Sequence, residues 1–321
     1  MSSASRVPEV ATRSTGPAAD EPTAVDAHET LRRVGTWPLL RASVARFRAG
    51  DGTSSTRALA LQSALAVVPL GIAVMGLAAL LRSDLGRVLE STVLALTPGA
   101  SDEMVRQALE QGSDARGAAG LVAVVGGLLV ALASGTSAMA LVERGANRIY
   151  GIQRDRPFRE RYALAALLTV TAGLPLLLGF LGLVAGGAFL DGWAAAYGDG
   201  PLLDALRLLR VPASALLVLV AATAVLRRAP ARCQPSWSWL SLAAGVLLVL
   251  WLAGTGLLAV YVTTAGDGGT RYGPLIGIVA LLLWAEITSG ALFAGIAVAA
   301  QLEAEAAGVP VRAEPLDGAA A

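Results

Sequence analysis

The sequence predicts an all-α integral membrane protein: a bundle of six transmembrane helices, with an interfacial amphipathic helix before the first span and two short amphipathic helices on the outer face. Three observations carry the prediction. Hydrophobic residues make up 55% of the 321-residue chain and charged residues only 15%, with a mean hydropathy of +0.62, whereas a soluble domain is about a quarter charged. Aromatic residues supply just 5%, so the apolar surplus is Ala, Leu, Val and Gly, the residues from which lipid-embedded helices are packed. Six stretches are also long enough to cross a hydrocarbon core of about 30 Å.

In chain order, residues 1–35 read as a disordered cytoplasmic tail, because Met1 to about Thr30 is rich in Ser, Ala, Thr, Pro, Glu and Asp without helical period. His28 lies there with no expected role. Trp37, Leu40, Val44 and Phe47 then recur at steps of three and four, with Arg41, Arg46 and Arg48 off that line. This is the pattern of a helix lying in the membrane interface, with Thr36 as its cap and Pro38 in its first turn. The membrane domain, 36–300, holds spans at about 58–81, 118–142, 163–190, 206–226, 239–262 and 274–300, and a cytoplasmic tail occupies 301–321. The first apolar run begins only at Ala58, after a polar, Pro-containing stretch, so no cleavable leader is expected.

The connection between the first two spans is about 35 residues, too long for a structureless loop in a compact domain. Leu85, Val88, Leu89, Thr92, Val93 and Leu96 form an apolar stripe that Pro98 and Gly99 interrupt, and Ser101, Asp102 and Glu103 start a second helix. Orientation follows from Arg. Eighteen fall in segments on one side of the expected membrane and seven on the other, which places both termini in the cytoplasm.

Several function classes are excluded by what is missing. A net charge of +1 gives no bulk field for nucleic acid. One Cys (Cys233) and one His (His28) leave no disulfide framework and no ordinary zinc site. No phosphate loop, dinucleotide signature or nucleophile elbow occurs, so no enzymatic activity, cofactor or metal is expected. Gly126 with Gly127 and Gly186 with Gly187 read as helix-packing positions.

Glu286 is the one ionisable residue in mid-span, about 18 Å along the last helix. A charged carboxylate there costs a few kcal/mol, so it faces the bundle interior or water, or is protonated. Gly290, Phe293, Ala294 and Ala297 continue its face, with Thr288 and Ser289 adjacent. Two roles fit it: a proton or cation relay or substrate contact, and a carboxylic acid hydrogen-bonded to a backbone carbonyl for packing. Arg144, Arg148, Arg154, Arg156, Arg159 and Arg161 form a second candidate, a cluster suited to anionic phospholipid headgroups. Arg207 and Arg210 read as snorkelling from the fourth span. Pro69, Pro175 and Pro212 interrupt the first, third and fourth spans.

Asn147, Arg148, Ile149, Tyr150 and Gly151, followed by Arg154, Arg156, Pro157, Phe158 and Arg161, together with Tyr272, Gly273, Pro274, Leu275 and Trp284, resemble the YihY/virulence factor BrkB family of bacterial inner-membrane proteins. The resemblance extends from about Trp37 to Gln301. It departs from the family in the last span, where Gly295, Ile296 and Ala297 replace a usual Gly-Ala-Glu run and Glu286 appears two residues after Trp284. The family has been linked to ribonuclease activity, to serum resistance and to envelope lipid traffic. Ribonuclease chemistry fits poorly, since metal-assisted hydrolysis needs clustered ligands. The resemblance implies a transporter or facilitator of lipid or envelope-component movement; the alternative is a non-transporting structural or assembly factor of the envelope. The lipid bilayer is the expected partner.

Overall fold

The computed structural model describes residues 24–81, 88, 118–152, 155–265 and 273–308, and among these it contains helices and connections with no strand. The helices are α1 (Ala24–Val34), α2 (Thr36–Ala49), α3 (Gly52–Leu81), α4 (Ala118–Tyr150), α5 (Phe158–Leu168), α6 (Leu174–Val184), α7 (Gly186–Tyr197), α8 (Pro201–Arg228), α9 (Trp237–Ala265) and α10 (Gly273–Ala306). Five helical stretches are long and apolar enough to cross a membrane: Val124–Tyr150, Phe158–Val184, Pro201–Arg228, Trp237–Val262 and Gly277–Ala306. The chain is a multi-pass membrane protein. The two outer amphipathic helices expected between 82 and 117 lie outside the described residues, save Val88.

The N-terminal region corrects the reading of 1–35 as disordered: α1 is helical from Ala24. The reason is tertiary. Ala27 and Thr30 are buried, and Leu31 and Val34 pack on the same core, against α9 and α10. Thr36 does not cap α2; that position belongs to Gly35, whose φ of 86° suits a residue without Cβ. Likewise 301–306 continues α10, because Gln301, Leu302, Glu303 and Ala304 are buried.

The third span is not one continuous α-helix. Between α5 and α6 the chain makes a π-helical turn, Thr169–Gly173, just before Pro175. A proline lacks an N–H and crowds the carbonyl four residues back, and a widened turn accommodates both. The hydroxyls of Thr169 and Thr171 donate back to the carbonyls of Ala165 and Leu167, each at 2.8 Å. A second break at Ala185 separates α6 from α7. Pro69 and Pro212 leave α3 and α8 continuous.

Small residues set the close crossings. A Cβ on Gly127 of α4 would lie 2.9 Å from the Ala73 backbone nitrogen and the Pro69 carbonyl oxygen of α3. Gly254 of α9 receives Ile287 of α10, and Gly179 of α6 receives Val218 of α8. Ala60 and Ala64 of α3 meet Ala285 of α10. Without a hydrophobic drive between helices in lipid, such approaches supply the van der Waals contact that holds them.

Burial is graded along the helices. The ends of α4, α8 and α10 and the starts of α3, α5 and α9 meet at one end, here termed the closed end. Near it, every residue of α10 from Ala291 to Ala304 except Ala294 is buried, as are Trp239, Leu240 and Leu247 of α9. Towards the opposite end Ile278, Val279, Leu282 and Leu283 of α10, Leu257 and Val260 of α9, and Leu208 and Leu209 of α8 are exposed.

Gly127 and Gly126 provide a matched test, since a Cβ on Gly126 meets nothing within 4 Å. Gly127→Ala is expected to destabilise the protein by about 1–3 kcal/mol through overpacking against backbone that cannot retreat. Gly126→Ala should melt within error of wild type in thermal unfolding of the detergent-solubilised protein.

Candidate functional site

The closed end gathers charged side chains that an apolar chain with few charges buries at a cost. Glu303, on the last turns of α10, is 9% exposed and accepts from Arg232 Nη2 at 2.7 Å and from the Tyr150 hydroxyl at 2.8 Å. Arg232 comes from the α8–α9 connection and Tyr150 from the last residue of α4, so one carboxylate joins three separate parts of the chain. The guanidinium of Arg232 also lies 5.0 Å from the Tyr150 ring centroid, a cation–π contact. Tyr150 Oη is 3.3 Å from the side-chain oxygen of Gln234.

Arg46 of α2 extends this network and is fully buried. Its Nε donates to Gln301 Oε1 at 2.9 Å and its Nη1 to the Ile149 carbonyl at 3.3 Å, while Gln301 Nε2 donates to Glu305 Oε1 at 2.9 Å. Arg46 Nη2 has no hydrogen-bond partner among the described residues. Burial lowers the Arg46 pKa from the ordinary guanidinium value to about 10, against the raising influence of Tyr150, Glu303 and Glu305. A lowered pKa means that folding penalises the charged form. The penalty is complete at pH values below about 10 and is relieved only as pH rises from there towards the ordinary guanidinium value.

A second cluster lies beside the first. Glu143 of α4 is buried, with Arg156 Nη1 at 3.1 Å and Arg161 Nε at 4.0 Å. The hydrogens of Arg156 go to backbone: Nη1 to the Ala229 carbonyl at 3.0 Å and Nη2 to the Pro230 carbonyl at 2.9 Å. Asn147 Nδ2 donates to Asp155 Oδ1 at 2.7 Å, and Asn147 Oδ1 accepts from the Ala231 N–H at 2.8 Å. Arg161 Nη2 reaches Asp155 Oδ2 at 2.9 Å. Residues 155–157 and the connection 229–236 are thereby clamped to α4.

Of the six Arg read as headgroup ligands, Arg156 and Arg161 are thus turned inward. Arg144 and Arg159 are exposed, and Arg148 is exposed and paired with Asp51 at 3.0 Å. Arg154 lies outside the described residues. Arg207 pairs with Asp199 at 3.0 Å, Asp204 at 3.5 Å and Asp191 at 3.6 Å, all well exposed and so worth little. Arg210 lies across Gly186 and Gly187, where either Cβ would strike it.

Glu286 is half-buried where α10 passes from its exposed to its buried part. Among the described residues it forms no hydrogen bond or ion pair. Its neighbours are apolar or small: Ala285 packs on α3, Ile287 on Gly254 of α9, and a Cβ on Gly290 would lie 3.7 Å from Thr56 Cγ2. Beside it is a brace that the periodicity does not reveal. Phe180 stacks on Trp251 at 4.2 Å, Trp284 meets both edge-on at 6.5 Å, and Trp251 Nε1 donates to Thr288 Oγ1 at 3.0 Å. The Thr288 hydroxyl passes its own hydrogen to the Trp284 carbonyl at 2.8 Å.

Arg46, Tyr150, Arg232 and Glu303 have no sequence signal as a set. Arg46 was expected among the solvated residues of α2, off the apolar stripe. The helix instead buries Leu39, Ala42, Ser43 and Arg46 and exposes Trp37, Leu40 and Val44. The i, i+3, i+4, i+7 spacing of the buried set is a helical face too, and its mixed chemistry hides it. Among the described residues no three His, Cys, Asp or Glu side chains gather as metal ligands.

A family model described as Virulence factor BrkB matches residues 43–316. No curated protein and no solved structure matches the chain.

Removing one partner of the buried pair strands the other charge. Arg232→Met is expected to cost about 3–5 kcal/mol in chemical or thermal unfolding, and Arg232→Met with Glu303→Met to recover most of it. Additive losses in the double variant would show that Glu303 does not depend on Arg232.

Proposed function

Because the chain belongs to the virulence factor BrkB family, we propose that it is a non-enzymatic protein of the plasma (inner) membrane that facilitates movement of a lipid or another apolar envelope component. The observation that carries this reading is the graded packing about Glu286. One end of the bundle is sealed by buried charge and close-packed side chains, while apolar helix faces are exposed towards the other. Glu286 stands at the boundary, where a carboxylate can meet the polar head of a molecule whose tail lies along Leu282, Leu283 and Leu257.

Six spans are part of the proposal, supported by parity. Arg46 and Gln301 touch, so the chain between them crosses the membrane an even number of times. Five helices qualify by length and apolarity, and the 30-residue α3 is the natural sixth. The Arg asymmetry assigns the closed end, with both chain termini, to the cytoplasm. There Trp37, Leu40 and Val44 face outward from α2, as an interfacial helix requires. Exposed Arg144, Arg148 and Arg159 stand at headgroup level, each worth about 1 kcal/mol beside an anionic leaflet.

The test is lipid exchange between leaflets. Purified protein in phosphatidylethanolamine–phosphatidylglycerol vesicles should speed dithionite bleaching of inner-leaflet fluorescent phosphatidylglycerol above protein-free vesicles. Glu286→Gln should fold normally and reduce that rate several-fold. Bleaching unaltered by the wild-type protein would favour the envelope scaffold, and full activity in Glu286→Gln would remove the carboxylate from the mechanism.

A further inference from the structure

The two N-terminal helices are attached differently from the rest. They lie across the closed end, with α1 against α9 and α10 and α2 against α10. Both of their joints have unusual backbone. Gly35, between α1 and α2, has φ 86°, and Asp51, between α2 and α3, has φ 54°, the only positive value at a non-Gly position among the described residues. A side-chain-bearing residue in that region is strained and is held there by its surroundings. Gly50, next to it, lies so close to α4 that a Cβ would meet the Ile149 Cα at 2.7 Å.

These helices pack on the apolar core through Ala27, Leu31, Val34 and Leu39, and beside that contact they cover a polar group. Beneath them lie Gln301, Tyr150 and Glu303, and the side chain reaching in from α2 is the fully buried Arg46. Apolar packing alone would hold a lid without that group, and a buried guanidinium with an unpartnered nitrogen works against it by costing free energy in the docked state. Arg46 has such a nitrogen, Nη2. When α2 is lifted, water satisfies that nitrogen and hydrates the charge, which lowers the cost of undocking. The opposite face of α2, with Trp37, Leu40 and Val44, is already exposed and need not leave the membrane interface. The ties of α1 include a 3.5 Å hydrogen bond from Arg33 Nη2 to the Glu305 carbonyl and the apolar contact of Ala27, Leu31 and Val34.

We propose that α1 and α2 form a hinged latch over the closed end, bolted by Arg46 to Gln301 and the Ile149 carbonyl, and that the latch lifts as a unit to admit water to Tyr150, Gln301 and Glu303. Calling it the inner gate of a transport path rests on the function proposed above; the lifting itself does not.

Two measurements on the full chain in lipid nanodiscs test it. In a Cys233→Ser background, Ala27→Cys reports the underside of the latch, and Ala229→Cys reports a buried position at the same end held by Arg156. Both positions are at most 1% exposed. Arg46→Glu sets a negative charge beside Glu303 and Glu305, and should raise the maleimide labelling rate of Ala27→Cys at least about tenfold while leaving Ala229→Cys unchanged. Equal acceleration at both positions means general loosening and overturns the latch, as does no acceleration at Ala27. Hydrogen exchange of the wild-type protein provides the second reading and needs no variant. The amides of 31–49 should exchange together and faster than those of 295–304 at the same end; equal protection overturns the proposal. Failure of the latch would leave the lipid-exchange assay untouched, and failure of lipid exchange would leave the latch standing.

Discussion

The burial of one carboxylate organises this molecule. Glu303 lies at the end of the longest helix, out of water, and a charge in that setting is tolerable only with partners at hydrogen-bond distance. Arg232 and Tyr150 meet that need at 2.7 and 2.8 Å, and they arrive from two other parts of the chain. The requirement therefore fixes the axial position of α10 against α4 and the path of the α8–α9 connection together. In lipid this matters more than in water, because apolar faces gain little from meeting one another rather than acyl chains. Directional contacts at the polar end set a register that Ala and Leu along the helices leave nearly degenerate.

The neighbouring clamp around Glu143 and Asn147 works by a different economy. Arg156 directs its hydrogens at three successive carbonyls, those of Arg228, Ala229 and Pro230, just past the end of α8. Those oxygens have lost their helical partners, so one side chain serves as a cap for a helix to which it does not belong. The result joins α4, α5 and α8 at the same level at which Glu303 joins α4, the α8–α9 connection and α10. Two adjacent polar knots, sharing α4, hold the closed end, and the exposed apolar halves diverge from it.

Much of the helical framework was legible in the sequence, because a span is a long, one-dimensional signal and its length is set by the bilayer. The ends of helices were not. The second span was read as stopping at Val142, where the apolar run ends, but α4 continues to Tyr150 because Glu143, Asn147 and Tyr150 find partners inside. The same error shortened α10 and left α1 as tail. In each case residues that look solvated singly are buried collectively, and no helical pattern encodes partners that come from another element. Arg46 is the sharpest example, since its hydrogen-bond partner Gln301 is 255 residues distant. Glu286 was found readily because an acid in mid-span is conspicuous, whereas the Phe180, Trp251 and Trp284 brace beside it was hidden among ordinary apolar residues. The six-Arg cluster was legible as a composition, but its division into inward and outward members depends on Glu143, Asp155 and the α8 carbonyls.

The π-helical turn at Thr169–Gly173 has a consequence for how this span is phased. Such a turn holds one residue more than α-helix needs, so the faces of α5 and α6 are offset by about 100°, the angle of one residue. On the near side Thr169 meets Gly135 of α4; on the far side Gly179 and Phe180 meet α8 and Trp251 of α9. The extra residue works as a phase shifter, letting one crossing serve two partners that do not lie in line. Shortening it by a single position would make a more regular helix and a worse protein, with Phe180 rotated off the indole it stacks upon.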